Sequence, residues 1–400
     1  MKNYSIFTML VMAIIVHCSA QQKNKIVGIG YSVWHDYFKG GGFYYHDKSR
    51  NPGNQFGPYP VDHWWGDPSV VGSLNDYTMM ISDNPSTPNN TVIDNHADLL
   101  YDAGVDYIAL DLTNGEQSKI WDGAKAVCLR YTQRLALGYY SPQIVFFVQK
   151  DAGVQKFYNE VYTNTATYNQ NIFFEYEGKP LVHVTKQLNP IPTTGIYTNL
   201  NVVKMWGLLN STDIENMWSY KQNVGSGTTQ DFFEANDWPE EMSVCAATQK
   251  QVMLNDANPS EQAGRIGRYQ TGYTGGTYWD QQWHFVNKTN PSFVFIWAWN
   301  EWISQNTGSS AQGRFTDIYG DAYSADIEPS DQAGNALYLS LIDKVAKYKR
   351  NVPNMILRDE LNGKWYFKFY DEEVSGSNDH LKKNFTNTFS GHQAPITSRL

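Results

Sequence analysis

The chain has 400 residues, 18% charged and 15% aromatic, with 13 Trp, 27 Tyr and a formal net charge of −9. That acidic balance argues against nucleic acid or an anionic membrane surface as a partner. Charge falls below the ~25% of a typical globular protein, and the rings in its place offer apolar faces with one hydrogen-bonding tip, the pairing a sugar ring requires.

The first twenty residues carry Lys2, an apolar stretch from Ile6 to Val16, and then Cys18-Ser19-Ala20 before Gln21. This pattern predicts an export leader over 1–20, cleaved after Ala20, and hence a secreted or periplasmic protein. Cys128 and Cys245 remain beyond it, with no metal-ligand partner at short spacing, and read as buried free thiols. Strand-like segments follow at Lys25 to Tyr31, Asp106 to Asp111, Gln143 to Gln149, Pro180 to Thr185, Asn201 to Trp206, Met242 to Ala247 and Phe293 to Trp299. An eighth is expected at Tyr77 to Ser82 or near the later turns. Helical patterns occupy Val92 to Ala103, Ser118 to Gly138, Val154 to Tyr162, Glu261 to Gln270 and Gln332 to Tyr348. The alternation predicts an α/β fold, a (β/α)8 TIM-like barrel over 21–352. The ring-rich loop from Gly40 to Trp65 is expected over its mouth. An aromatic run from Lys364 to Tyr370, then a polar tail, suggests a small β appendage over 353–400. No dinucleotide or phosphate-loop fingerprint is present, so a nucleotide enzyme is not expected.

The run from Phe293 to Trp299 is continuously apolar, which suits a strand covered on both faces, and it stops at Asn300-Glu301-Trp302. A carboxylic acid at the carboxyl end of a barrel strand, walled by indoles, is suited to sugar chemistry. Glycosidic cleavage ordinarily needs a second carboxyl, about 5–5.5 Å away for retention or about 6.5–9.5 Å for inversion. Asp111 ends the second strand as Glu301 ends the last, so both are expected on one face. Asp237 is the rival partner and Asp213 a third, while Glu175 and Glu177 precede a strand and are expected near the opposite rim. Trp299, Trp302, Trp206 and Tyr31 are expected to stack on sugars, and Asn300 and Asn114 to hold hydroxyls. Lys204 and His183 lie inside strands, where a polar group must pair with a carboxylate or meet an anionic substituent. His35 and His96 are similar in kind. No His-Glu-x-x-His or clustered Cys/His spacing occurs, so neither a metal nor a cofactor is expected.

These residues carry a resemblance. Trp299-Asn300-Glu301-Trp302 resembles the strand end of the endo-α-mannosidase barrels, in which a second catalytic Glu follows; here the next positions are Ile303-Ser304-Gln305. The wider pattern of Asp111-Leu112-Thr113-Asn114-Gly115, the Glu301 segment and Tyr323-Ser324-Ala325-Asp326-Ile327-Glu328-Pro329 resembles secreted proteins of marine polysaccharide-degrading bacteria. Among characterised enzymes it is most similar to the endo-1,3-fucanases, barrel hydrolases of sulfated α-fucans that use an Asp and a Glu with retention. The resemblance implies an endo-acting hydrolase of a sulfated polysaccharide, with Glu301 as acid/base and Asp111 or Asp237 as nucleophile. A neutral-glycan hydrolase and a non-catalytic glycan-binding barrel are the alternatives.

Overall fold

The computed structural model describes residues 25–33, 90–115, 118–209, 215–222, 230–247, 276–301, 325–329 and 335–349. The expected leader, mouth loop, Tyr77 strand, Glu261 helix and appendage lie outside them. In chain order the described elements are β1 (Ile26–Ser32), α1 (Asn90–Asp102), β2 (Tyr107–Leu112), α2 (Ser118–Ala136) and β3 (Gln143–Val148). There follow α3 (Asp151–Lys156), which continues as one π-helical segment to Tyr162, the short β4 (Glu175–Tyr176), β5 (Lys179–Val184) and β6 (Asn201–Leu209). The last are β7 (Trp218–Gln222), β8 (Phe233–Ala235), β9 (Trp238–Cys245), α4 (Tyr278–Thr289), β10 (Phe293–Trp297) and α5 (Ala336–Lys349).

The strands form one barrel-shaped, nearly closed sheet in the order β7-β6-β5-β3-β2-β1-β10-β9-β8, with β4 paired to β5. Every pairing from β7 round to β9 is parallel, while β8 runs antiparallel to β9. The side chains of β7 and β9 bridge the seam: Ser219 N donates to Glu241 Oε2 at 2.9 Å, and Ser243 Oγ to Ser219 Oγ at 3.1 Å. The βα alternation is partial, because among the described residues β5 is joined to β6 through a 3-10 turn at Gly195–Asn199 rather than an α-helix.

Period-two alternation sorts the strands into two packed layers. Val27, Ile29, Ile108, Leu110, Phe146, Val148, Val294 and Ile296 point outward and pack with the helices in one cluster. Tyr107, Ala109, Val145, Phe147, Met205, Trp218, Phe293, Phe295 and Trp297 fill the interior. Glycine makes room for these rings: a Cβ on Gly28 would lie 2.2 Å from Tyr107 Cζ, and one on Gly207 would lie 2.3 Å from Tyr220 Cζ. Cys128 and Cys245 are buried and form no disulfide among the described residues. No helix among the described residues is long and apolar enough to cross a membrane.

Candidate functional site

β10 delivers the acid. Beyond Trp297 the chain passes a cis peptide to Ala298, and Trp299 N donates to Gly30 O at 2.8 Å, prolonging the pairing with β1. Asn300 continues that pairing with its side chain: Nδ2 donates to Ser32 O at 3.1 Å while Ser32 N donates to Oδ1 at 2.8 Å. A side-chain amide carries one donor and one acceptor in the geometry of a peptide group, so it ties the two strand ends as a backbone rung would. Glu301 follows, only 5% exposed, and its Oε2 accepts from Trp297 Nε1 at 2.6 Å.

Asp111 stands at the same rim. It faces inward like Tyr107 and Ala109, is 3% exposed, and sits in register with Ser32 of β1. Its Oδ1 accepts from Thr113 N at 2.9 Å, a local turn that fixes the carboxyl as the strand ends. β2 and β10 flank β1, and neighbouring strands lie about 4.8 Å apart, so the two acid-bearing strands are about 10 Å apart, backbone to backbone. Between them Ser32 Oγ is buried and has no hydrogen-bond partner among the described residues.

The other expected residues separate from this pair. Asp237 is exposed; with Asn236 it forms the two-residue turn of the β8–β9 hairpin, at φ 57° and 54°. That turn lies at the start of β9, roughly 25 Å along the strand from the rim that carries Glu301. Asp237 is therefore no partner for Glu301. Glu175 and Glu177 occupy the hairpin before β5, also at the start end. Lys204 points outward, alternating with the inward Val203 and Met205, and donates to Asn189 Oδ1 at 2.7 Å. His183 lies inside the barrel among Tyr107, Phe147, Trp218 and Phe295. Burial pushes its pKa down to about 3, so it is neutral and cannot meet an anion by charge. His183 is therefore not the expected anion ligand, and Lys204 lies on the outer face rather than among the residues that line the barrel interior.

Three expected sugar contacts are instead parts of the framework. Asn300 is occupied as described. Trp299 is fully buried and packs edge-on against His96 and Tyr338, with centroids 5.6 and 6.1 Å away. Tyr31 is 1% exposed; its hydroxyl pairs with His96 Nδ1 at 2.8 Å, and His96 Nε2 with Glu328 Oε1 at 2.8 Å. Burial first, then the charges of Tyr131 and Glu328, raise the Tyr31 pKa well above its ordinary value and keep it a phenol. This Tyr31–His96–Glu328 chain links β1, α1 and the segment 325–329, and Glu328 N also donates to Trp299 O at 2.9 Å. It thus braces the stretch leading to Glu301 from behind. Trp206 remains half-buried near the end of β6, with Lys186 Nζ 5.8 Å over its ring. Asn114 is half-buried just after β2. His35, Trp302 and Asp213 lie outside the described residues.

Three participants were not expected from the sequence: Trp297, Ser32 and Tyr220. Trp297 lies four residues before Glu301, a spacing that passes unnoticed while the segment is read as extended strand. Its indole lies where a Cβ on Gly30 would come within 2.4 Å, and packs against Tyr220 with centroids 4.5 Å apart and the rings tilted by 42°. Lys221 is 1% exposed near the end of β7, a buried cation on the strand beside β6. Among the described residues, no group of three or more His, Cys, Asp or Glu is placed to hold a metal ion.

No family model matches the chain, and no curated protein matches it. Among solved structures, one titled "Glycoside hydrolase-like protein" is similar at 11% identity and a TM-score of 0.38, over 81% of this chain and 94% of that one. A likeness that distant shows neither the fold nor the chemistry of this chain.

Proposed function

We propose that the protein is an exported glycoside hydrolase built on a (β/α)8-type barrel and acting within a polysaccharide chain. The observation that carries this reading is that two buried carboxyls, Glu301 and Asp111, end the two strands flanking β1 and open on the same rim. Strands about 10 Å apart leave two side chains room to close to either the retaining or the inverting separation around one glycosidic bond. Glu301 is the acid/base: it protonates the leaving oxygen and then activates water. Asp111 is the second carboxylate, the nucleophile in a retaining reaction.

A sulfated fucan is the substrate the sequence resemblance favours, and Lys221 is the cation nearest in kind to what a sulfate would require. The placements of Lys204 and His183 favour a second reading, a neutral glycan, because the two groups first expected to meet an anion do not face the rim as charges. Comparing a sulfated fucan with its desulfated form as substrate separates the two. Faster release from the sulfated polymer, lost in Lys221→Met, supports the first reading; equal or faster release from the desulfated polymer supports the second.

A further inference from the structure

We propose that Trp297 is a positioning residue whose indole N–H aims the Glu301 carboxyl at the barrel mouth, so that the core of the barrel sets the orientation of the acid. The proposal rests on the reading of Glu301 as the acid/base. The Nε1–Oε2 distance of 2.6 Å is just below the ordinary range of about 2.7–3.2 Å for an N–H···O bond. An indole N–H can only donate, so it commits one carboxyl oxygen to a fixed direction. Both side chains are buried, at 3% and 5% exposure, so water competes little for either partner.

The donor is itself immobilised by four strands. On one side Gly30 of β1 has no side chain, and a Cβ there would fall 2.4 and 2.6 Å from the ring carbons of Trp297. On the other, Tyr220 of β7 packs tilted against the indole and is held edge-on by Phe147 of β3 at 5.6 Å and Trp206 of β6 at 6.0 Å. A tryptophan serving only as core filler needs none of this direction. A clamp needs all of it, because a misplacement of about 1 Å in a catalytic group costs roughly 100-fold in rate.

The test uses Trp297→Phe, which keeps a ring and removes the donor, and Tyr220→Leu, which keeps the donor and removes its support. In the full-length protein labelled with ¹⁵N on its indoles, the resonance lost in Trp297→Phe identifies the Trp297 N–H. That resonance should lie downfield in wild type, move with pH, and shift in Glu301→Gln; if Glu301→Gln leaves it in place, the clamp does not exist. This readout requires no substrate, so it separates failure of the clamp from failure of the hydrolase reading. On a polysaccharide that wild type cleaves, Trp297→Phe should lower kcat roughly 10- to 100-fold, leave KM within about threefold, and displace the pH limb that Glu301→Gln abolishes. Tyr220→Leu should move kcat and the same limb in the same direction by less, and it carries the test if Trp297→Phe does not fold. Wild-type kcat and pH profile in the variants that fold would overturn the proposal.

Discussion

His183 gives the barrel interior a pH signature that can be measured without a substrate. The imidazole is fully buried, and its pKa falls from the ordinary 6.5 to about 3 because burial disfavours the charged ring. The folded ring stays neutral where the unfolded one takes up a proton. Its contribution to stability is therefore intact above pH 6.5 and lost as pH falls from there towards about 3. The slope approaches about 1.4 kcal/mol per pH unit, so going from about pH 7.5 to 4.5 removes about 2.7 kcal/mol through this one residue. In His183→Leu that loss disappears. The substitution also strips Tyr107 of its 3.3 Å partner, a cost of about 1–3 kcal/mol that is the same at both pH values. Guanidinium unfolding at the two pH values, for wild type and variant, isolates the effect as a difference of differences. The wild type is expected to lose about 2–3 kcal/mol more than the variant on acidification. Losses equal within about 0.5 kcal/mol would show that His183 is not a buried neutral group and would refute the placement of β5 in the barrel.

Glu241 should behave with the opposite sign. Burial pushes its carboxyl pKa well above 4.5, against the Ser219 N–H that holds it down, and Glu240 pushes it further up. The folded state then holds the proton longer, so this contribution weakens as pH rises past 4.5. Glu241→Gln is accordingly expected to stabilise the protein more at pH 7.5 than at pH 4.5, read from unfolding midpoints; equal effects would contradict it. Among the acids, Asp111→Asn is expected to lower kcat on a cleaved polysaccharide by at least about 100-fold. Asp237→Asn, on an exposed hairpin turn at the other end of β9, should stay within about twofold of wild type. The reverse ranking would exchange the two carboxylates.

The strands were legible where apolar runs were long. β1, β2, β3, β5, β6 and β10 begin within a residue or so of expectation; β3 and β10 are nearly unbroken apolar runs buried on both faces, and the others carry short β-branched or apolar stretches interrupted by Gly, Asp, His or Lys. β9 begins at Trp238, four residues before the expected Met242, since its first turn pairs with β8 in a hairpin and carries Glu240 and Glu241. β7 was hidden: Trp-Ser-Tyr-Lys-Gln has no apolar run, and only its neighbours in the barrel make it a strand. The helix α4 was missed although a capping box announces it, with Thr277 and Asp280 exchanging side-chain to backbone bonds. In the site, strand ends placed Glu301 and Asp111 on one rim without further information. Which residues around them face the barrel mouth was not legible, because that depends on the inward or outward sense of each position. Tyr31, Trp299 and Lys204 all fall on the outer face, and a one-residue step decides it.

Glu301 is proposed to perform chemistry at the mouth of this barrel. That role is tested most directly by oligosaccharide release, read by mass spectrometry, from a panel of sulfated fucans, carrageenans and neutral mannans, with wild type and Glu301→Gln side by side. Wild type is expected to release a ladder of regularly stepped fragments from one polymer, and the variant to lose release by orders of magnitude while still binding the polymer. Release that persists in Glu301→Gln, or wild-type protein that binds a polymer and cuts none, would contradict it.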